Sequence, residues 1–463
     1  MNDFSKTIAA VSTPRGKGGI AVIRLSGPDA ASVAARMFRP KSGKALADCA
    51  PRTAVFGAIL DAADEICDEG IATLFRAPHS FTGEDVAEIA CHGGPAVTEA
   101  VFLSAVAHGA VAAGPGEFTR RAFVNGRLSL TEAEAVGRLI DADTAERLAL
   151  SSGALRGNVS REIARIADGL LATMTALYAA IDYPEEDVGD EGEREIAGTL
   201  ARALADVEHL LATYRTGRAV ADGVRTALCG RPNVGKSSVF NLMTGEESAI
   251  VTEIAGTTRD VLRETVSFGG VTLRLSDTAG VREASDTVER IGVDRAEREI
   301  ASAELILAVF DGSEPLAEED RQLLAILERT EGAKIAVVNK EDRGMRLTEA
   351  DLEQIDAACG RRVHLSAKSG DGRALAKAIA ELYGSGTLDL RADAVIWDVR
   401  QRQALEHARA ALSGACAAIG RGDPIDCVCT LAEEAMAALN ETDGRGVDEE
   451  IIGEIFKRFC VGK

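Results

Sequence analysis

The sequence predicts a multidomain α+β chain: an N-terminal α+β domain, an all-α helical domain, and an α/β domain of P-loop (Ras-like) type inserted into the helical one. Three observations carry this. Residues 5–123 mix short β-branched runs, such as "GIAVIRLSG" and "GIATLF", with Gly- and Pro-rich turns and short helical stretches. From Leu128 to Asp182, Leu, Ile and Ala recur at helical spacing almost without a breaker, and after the acidic loop "YPEEDVGDEGE" the helical pattern resumes to about Gly217. From about Val220 strands alternate with helices, and near Leu390 the pattern reverts to uninterrupted helix. Helix on both sides of an α/β stretch reads as an insertion, which domains tolerate because their termini lie close together. The expected boundaries are 1–123, 124–219, 220–384 and 385–463.

A length of 463 residues fits about three domains. The balance of 46% hydrophobic and 27% charged residues is that of a globular protein in water. No apolar run reaches the ~18 residues that read as a membrane span, and no signal peptide or Arg-rich presequence opens the chain, so a cytoplasmic location without membrane contact is expected. Nine scattered cysteines make no disulfide framework, and Cys427 with Cys429 alone makes no zinc site. A net charge of −21 excludes a surface coated in basic residues for nucleic acid. Any RNA contact is then local or shared with a partner, and the basic pairs Arg120 and Arg121, Arg400 and Arg402, and Lys457 and Arg458 read first as solvated surface.

"RTALCGRPNVGKSSVFNLM" is a strand, then Gly230-x-x-x-x-Gly235-Lys236-Ser237, then an amphipathic helix. Backbone N–H groups of Asn233, Val234, Gly235 and the following Ser237 and Ser238 can curl round phosphates at a helix N-terminus, with Lys236 on the β and γ phosphates and the Ser237 hydroxyl offered to Mg²⁺. The strand "LRLSDTAG" ends in Asp277, Thr278, Ala279 and Gly280, where a carboxylate can hold Mg²⁺ through water and a glycine can sense the γ-phosphate. "KIAVVNKED" delivers Asn339, Lys340 and Asp342, and "RRVHLSAKSG" delivers Ser366, Ala367 and Lys368. The Asp342 carboxylate can accept from the two N–H donors on the edge of guanine, which adenine does not supply, so GTP is expected over ATP. Four ordered motifs at strand ends resemble a GTPase of the translation-factor type.

Small GTPases orient the attacking water with a glutamine after the Asp-Thr-Ala-Gly motif, and this chain has Val281 there. Glu283 and Glu289 in "VREASDTVERIG" are the candidate replacements. In "IVTEIAGTTRD", Thr258 can bind Mg²⁺ while the γ-phosphate is present, ordering the loop. The Asn233 side chain, with loop carbonyls, can hold a monovalent cation where other GTPases insert an arginine finger.

Over its full length the chain resembles the MnmE (TrmE) tRNA-modification GTPase family, through "FTGEDVAEIACHGG", "GPGEFTRRAFVNGRLSLTEAEAV", "GRPNVGKSS", "IAGTTRD", "DTAGVREASDTVERIG" and the terminal "FCVGK". The resemblance implies an N-terminal folate-binding and dimerising domain, a helical domain, and a G domain inserted within it. It implies a homodimer that works with the FAD-binding partner MnmG (GidA) in a heterotetramer on tRNA. Together they install a carboxymethylaminomethyl or aminomethyl group at C5 of the wobble uridine, with a one-carbon unit from 5,10-methylene- or 5-formyl-tetrahydrofolate. By position it assigns K⁺ to Asn233, Thr252, Ile254 and Thr257, within a loop that also carries Glu253, Ala255 and Gly256. It assigns Mg²⁺ to Ser237 and Thr258, and water positioning to Glu289. Folate falls to Arg24, Glu88, Arg127 and Lys463, with Arg127 standing where some relatives have lysine. Without the resemblance, Arg24 and Glu88 read as a partly buried ion pair. Cys460, fourth from the end but followed by Gly462 and Lys463, fits no prenylation box. It reads either as a thiolate nucleophile favoured by Lys457, Arg458 and Lys463, or as a residue packing the last helix. The alternative function is a regulatory RNA- or ribosome-binding GTPase whose N-terminal region has no folate chemistry.

Overall fold

The structure is a computed structural model, and it describes residues 5–182, 189–245, 263–276, 300–447 and 449–462. Its contacts divide the chain into two compact units, one of residues 1–140 with 440–463 and one of residues 141–439.

The first unit is built on a seven-stranded sheet: β1 (Ile8–Val11), β2 (Ile20–Ser26), β3 (Phe38–Pro40), β4 (Val55–Leu60), β5 (Ile66–Phe75), β6 (Val86–His92) and β7 (Val111–Ala112). The order is β3-β4-β5-β6-β2-β1-β7, antiparallel throughout except for the β1–β7 pair. Period-two alternation sets which residues go inside. Ile23 and Leu25 of β2, Ile59 of β4 and Ile89 of β6 face helices Ala30–Arg36 and Pro95–Ala107, where Val33, Val101 and Ala105 close the core. Ile8 and Ala10 point the other way from Ala9 and bury Phe118 of helix Glu117–Val124 in a smaller cluster. Helices Leu130–Ile140 and Glu449–Lys457, far apart in sequence, share a third cluster of Leu130, Ala133, Ile452 and Phe456.

In the second unit, helices Asn158–Asp182 and Gly189–Ala221 share one core with helices Val399–Arg421 and Ile425–Thr442. Ile163, Leu170, Leu200 and Val207 from before the α/β stretch meet Leu405, Leu412 and Leu439 from after it. The α/β sheet is therefore an insertion between two segments of one helical core. Its strands are β8 (Val224–Cys229), β9 (Arg263–Phe268), β10 (Val271–Ser276), β11 (Leu305–Asp311), β12 (Ala333–Asn339) and β13 (Arg362–His364), ordered β13-β12-β11-β8-β10-β9. All pairs are parallel except β9–β10. β11, "LILAVFD", is buried at every position, as expected for a central strand covered on both faces.

The helical stretches are broken more often than the hydrophobic period predicts. Residues 130–182 form three helices, with Thr144 capping Ala145–Leu155 through a bond from the Arg147 N–H and Gly157 taking a left-handed turn before Asn158. After Leu390 the chain forms Asp398-capped Val399–Arg421, which ends at left-handed Gly422 just before Pro424. Capping geometry and proline, which periodicity does not register, set these ends.

Candidate active site

The phosphate loop leaves the end of β8 and enters helix Lys236–Thr244. Gly235 sits at φ +99°, and a Cβ there would lie 2.2 Å from Asn339 Nδ2, so glycine is required by conformation and by crowding alike. Asn233 also adopts a left-handed conformation, and its side chain is exposed.

The loop is tied to the end of β12 and the residues beyond it. Asn339 Nδ2 donates to the Val234 carbonyl at 2.9 Å, while Asn339 Oδ1 accepts from the Ala367 N–H at 2.9 Å. Lys340 Nζ donates to the Asn233 carbonyl at 2.7 Å and to Asp311 Oδ2 at 2.6 Å. Ser366 Oγ donates to Asp342 Oδ1 at 2.6 Å, which holds that carboxylate below its usual range and leaves its other oxygen for a ligand. A cavity of about 530 Å³ opens over these groups, lined among others by Gly235, Ser238, Asn339, Asp342, Ala367 and Lys368. Its chemistry fits a nucleotide: a helix N-terminus at one end and a hydrogen-bond acceptor for a base edge at the other.

Lys236 Nζ donates to the carbonyls of Gly230 (2.8 Å) and Arg231 (2.9 Å). Burial pulls this ammonium below its usual range. A phosphate would restore the charge that desolvation disfavours. Of the residues expected to hold Mg²⁺, Ser237 is described and exposed, and of those expected to hold K⁺, Asn233 is described. Thr252, Glu253, Ile254, Ala255, Gly256, Thr257, Thr258, Asp277, Thr278, Ala279, Gly280, Glu283 and Glu289 lie outside the described residues, as does Lys463.

Two participants went unnoticed in the sequence. Asp311 ends β11, almost fully buried, and accepts from Lys340 and from the Ser313 hydroxyl at 2.6 Å. Burial alone would raise its pKa, but these bonds outweigh it and leave the carboxyl below its ordinary value. Arg231, inside the phosphate loop, bonds Asp320 at 3.0 Å and Glu314 at 2.6 Å, anchoring the loop to the start of helix Glu318–Arg329. A strand ending in Asp, "AVFD", was the available signal for the first.

In the first unit, Arg24 and Glu88 face each other across β2 and β6 and form an ion pair at 2.8 Å. The Arg24 guanidinium lies 5.8 Å from the centroids of both Phe81 and Phe118. Exposed Arg127 packs against Gly83 in the same 81–85 loop. Phe118 is fully buried, so the exposed ring beside this half-buried charge pair is Phe81, and the two together fit the polar edge and flat face of a pterin. Cys460 is exposed; its carbonyl accepts from the Gly116 N–H at 3.3 Å, and Val461 bridges Pro115.

Comparison with known proteins agrees along the whole chain. Residues 7–127 match the family described as GTP-binding protein TrmE N-terminus, and residues 130–460 match the MnmE helical domain. A tRNA modification GTPase MnmE from Symbiobacterium thermophilum is 42% identical over 99% of both chains. One from Heliobacterium modesticaldum is 41% identical over 99% of both, and one from Geobacillus kaustophilus 41% over the whole of both. Among solved structures, the G domain of the T. maritima FeoB iron transporter is 26% identical, covering 35% of this chain and 98% of its own, with a TM-score of 0.26.

Proposed function

The chain belongs to the family of MnmE tRNA modification GTPases, and from that premise we propose that its GTP hydrolysis drives attachment of a carboxymethylaminomethyl or aminomethyl group to C5 of the wobble uridine. As a GTPase acting in tRNA modification it needs a nucleotide corner and a modification corner. The proposed domains are 1–123, 124–219, 220–384 and 385–463. The proposed setting is a cytoplasmic homodimer acting on tRNA with an FAD-binding MnmG partner.

In the nucleotide corner Asp342 reads guanine, the loop from Asn233 to Ser238 wraps the phosphates, and Lys236 neutralises charge that builds as the γ-phosphoryl leaves. Ser237 and Thr258 would hold Mg²⁺, and Asn233 with Thr252, Ile254 and Thr257 would hold K⁺; both ions would supply positive charge toward the phosphates. Glu289 orients the attacking water. Pairing of two G domains across the dimer in the presence of K⁺ would complete the site without a separate activating protein.

Arg24, Glu88, Arg127 and Lys463 form the folate corner, and tetrahydrofolate, when bound, supplies the one-carbon unit. Cys460, on the tail that ends in Lys463, is read either as a nucleophile in this chemistry or as a residue that packs the last helix. The observation that supports this reading is the half-buried Arg24–Glu88 pair beside exposed Phe81. Equilibrium binding of 5-formyl-tetrahydrofolate by the full chain tests it. Binding that weakens on removal of Lys463 supports the reading, and no binding by the intact protein returns the chain to a regulatory GTPase without folate chemistry.

A further inference from the structure

Arg121 is 1% exposed, the most deeply buried of the charged residues described, and it sits between two carboxylates. Its Nη1 lies 3.2 and 3.1 Å from the two oxygens of Glu84, and its Nη2 lies 3.1 Å from Glu117 Oε1. Each carboxylate is committed elsewhere as well. Glu84 Oε2 accepts from Ser26 Oγ at 2.7 Å, and Ser26 Oγ lies 2.7 Å from the Thr82 hydroxyl. Glu117 Oε2 accepts from the Gly114 N–H at 2.7 Å, closing the 114–117 turn.

That turn holds the C-terminal tail through the Gly116–Cys460 hydrogen bond and the Pro115–Val461 bridge. Gly116, at φ +62°, permits the approach, since a Cβ there would lie 2.6 Å from the Phe456 carbonyl. Glu84 belongs to the 81–85 loop, whose Phe81 lies beside Arg24. A single buried cation therefore joins the loop beside Arg24 to the turn that grips the Cys460 tail.

We propose that Arg121 is a positioning residue: through Glu84 and Glu117 it fixes the tail carrying Cys460 in register with the Arg24–Glu88 pair. The use made of that register rests on the folate reading above, whereas the latch itself does not. Two carboxylates around one buried guanidinium are over-determined geometrically, and losing the cation leaves two half-buried anions facing each other. They separate, the 114–117 turn loosens, and the tail opens locally.

The test compares Arg121→Met and Arg121→Lys with the wild type in the full chain, using hydrogen exchange read by mass spectrometry. Arg121→Met should speed exchange at residues 113–117 and 458–462 by about tenfold, a local opening of the kind protection measurements resolve. Exchange in β4 and β5 should be unchanged. Arg121→Lys, which keeps the charge but not the fork, should fall between the two. A tail as protected in Arg121→Met as in the wild type overturns the latch, and so does a rise spread evenly over the first unit, which marks general destabilisation. Should Met prove insoluble, Glu117→Gln, which halves the clasp without burying an apolar group, must give the same local rise or the proposal fails. Failure of wild-type folate binding would remove the folate reading and leave these outcomes standing.

Discussion

The two sheets solve the problem of holding charge in opposite ways. In the parallel sheet of the second unit, β8, β11 and β12 are apolar nearly throughout, and the polar groups that matter are at or just beyond their C-terminal ends: the phosphate loop, Asp311, and Asn339 to Asp342. In the antiparallel sheet of the first unit, Arg24 and Glu88 stand in mid-strand, opposite one another on a face that aromatic rings cover. A parallel sheet buried on both sides exports its chemistry to loops that can move with a ligand. An antiparallel sheet keeps it on a rigid face, where geometry is fixed by register.

The comparison makes graded predictions. The largest effect is expected at Asp342→Asn, which removes the acceptor for the guanine edge and should weaken GTP binding by on the order of 10²-fold or more. Xanthosine triphosphate, which offers an oxygen to the new amide, should gain affinity; fluorescence titration with both nucleotides decides it, and equal GTP affinity would remove Asp342 from base reading. Glu289→Ala should lower GTP turnover by about a hundredfold with binding retained. Unchanged single-turnover rates would move the water-positioning role to Glu283. Exchanging K⁺ for Na⁺ should depress turnover several-fold, and equal rates in the two salts would count against a cation held by Asn233.

The smallest effect is expected in stability, at Asp311→Asn, which leaves the Lys340 ammonium without its carboxylate and should cost about 1–3 kcal/mol by calorimetry. The folded pKa of Asp311 lies below its unfolded value, so its contribution is complete above the ordinary carboxylate pKa of about 3.9 and is lost as pH falls through the folded value. The gap between wild type and variant should accordingly be flat from about pH 5 to 8 and close under stronger acid. A gap that widens on acidification would assign the bond to another protonation state.

The same contrast explains what could be read in the sequence. Phosphate loops and strand-end motifs are contiguous, because backbone groups of neighbouring residues do the work, so Gly230 to Ser237 and Asn339 to Asp342 announce themselves. The insertion was equally legible, since a change of hydrophobic period marks a change of layer. Arg24 and Glu88 are 64 residues apart and meet only through strand register, which local pattern does not encode; family resemblance pointed to them where spacing did not. Arg121 read as half of a surface basic pair with Arg120, yet helix Glu117–Val124 turns it inward. Burial of a charge depends on partners that the fold supplies later. Helix ends at Gly157 and Gly422 were missed because an amphipathic period continues across a cap.

The 33-residue helix Gly189–Ala221 runs into β8 with only Asp222 and Gly223 between them. Its last turns are pinned to the α/β domain, by Thr216 Oγ1 on the Tyr383 carbonyl at 2.5 Å and by Arg218 on Glu304 at 2.8 Å. At 1.5 Å per residue this rod is about 50 Å long. Because Leu200, Val207 and Leu210 of the same helix are buried against Leu405 and Leu412, one continuous backbone element ties the sheet that carries the phosphate loop to the helical core.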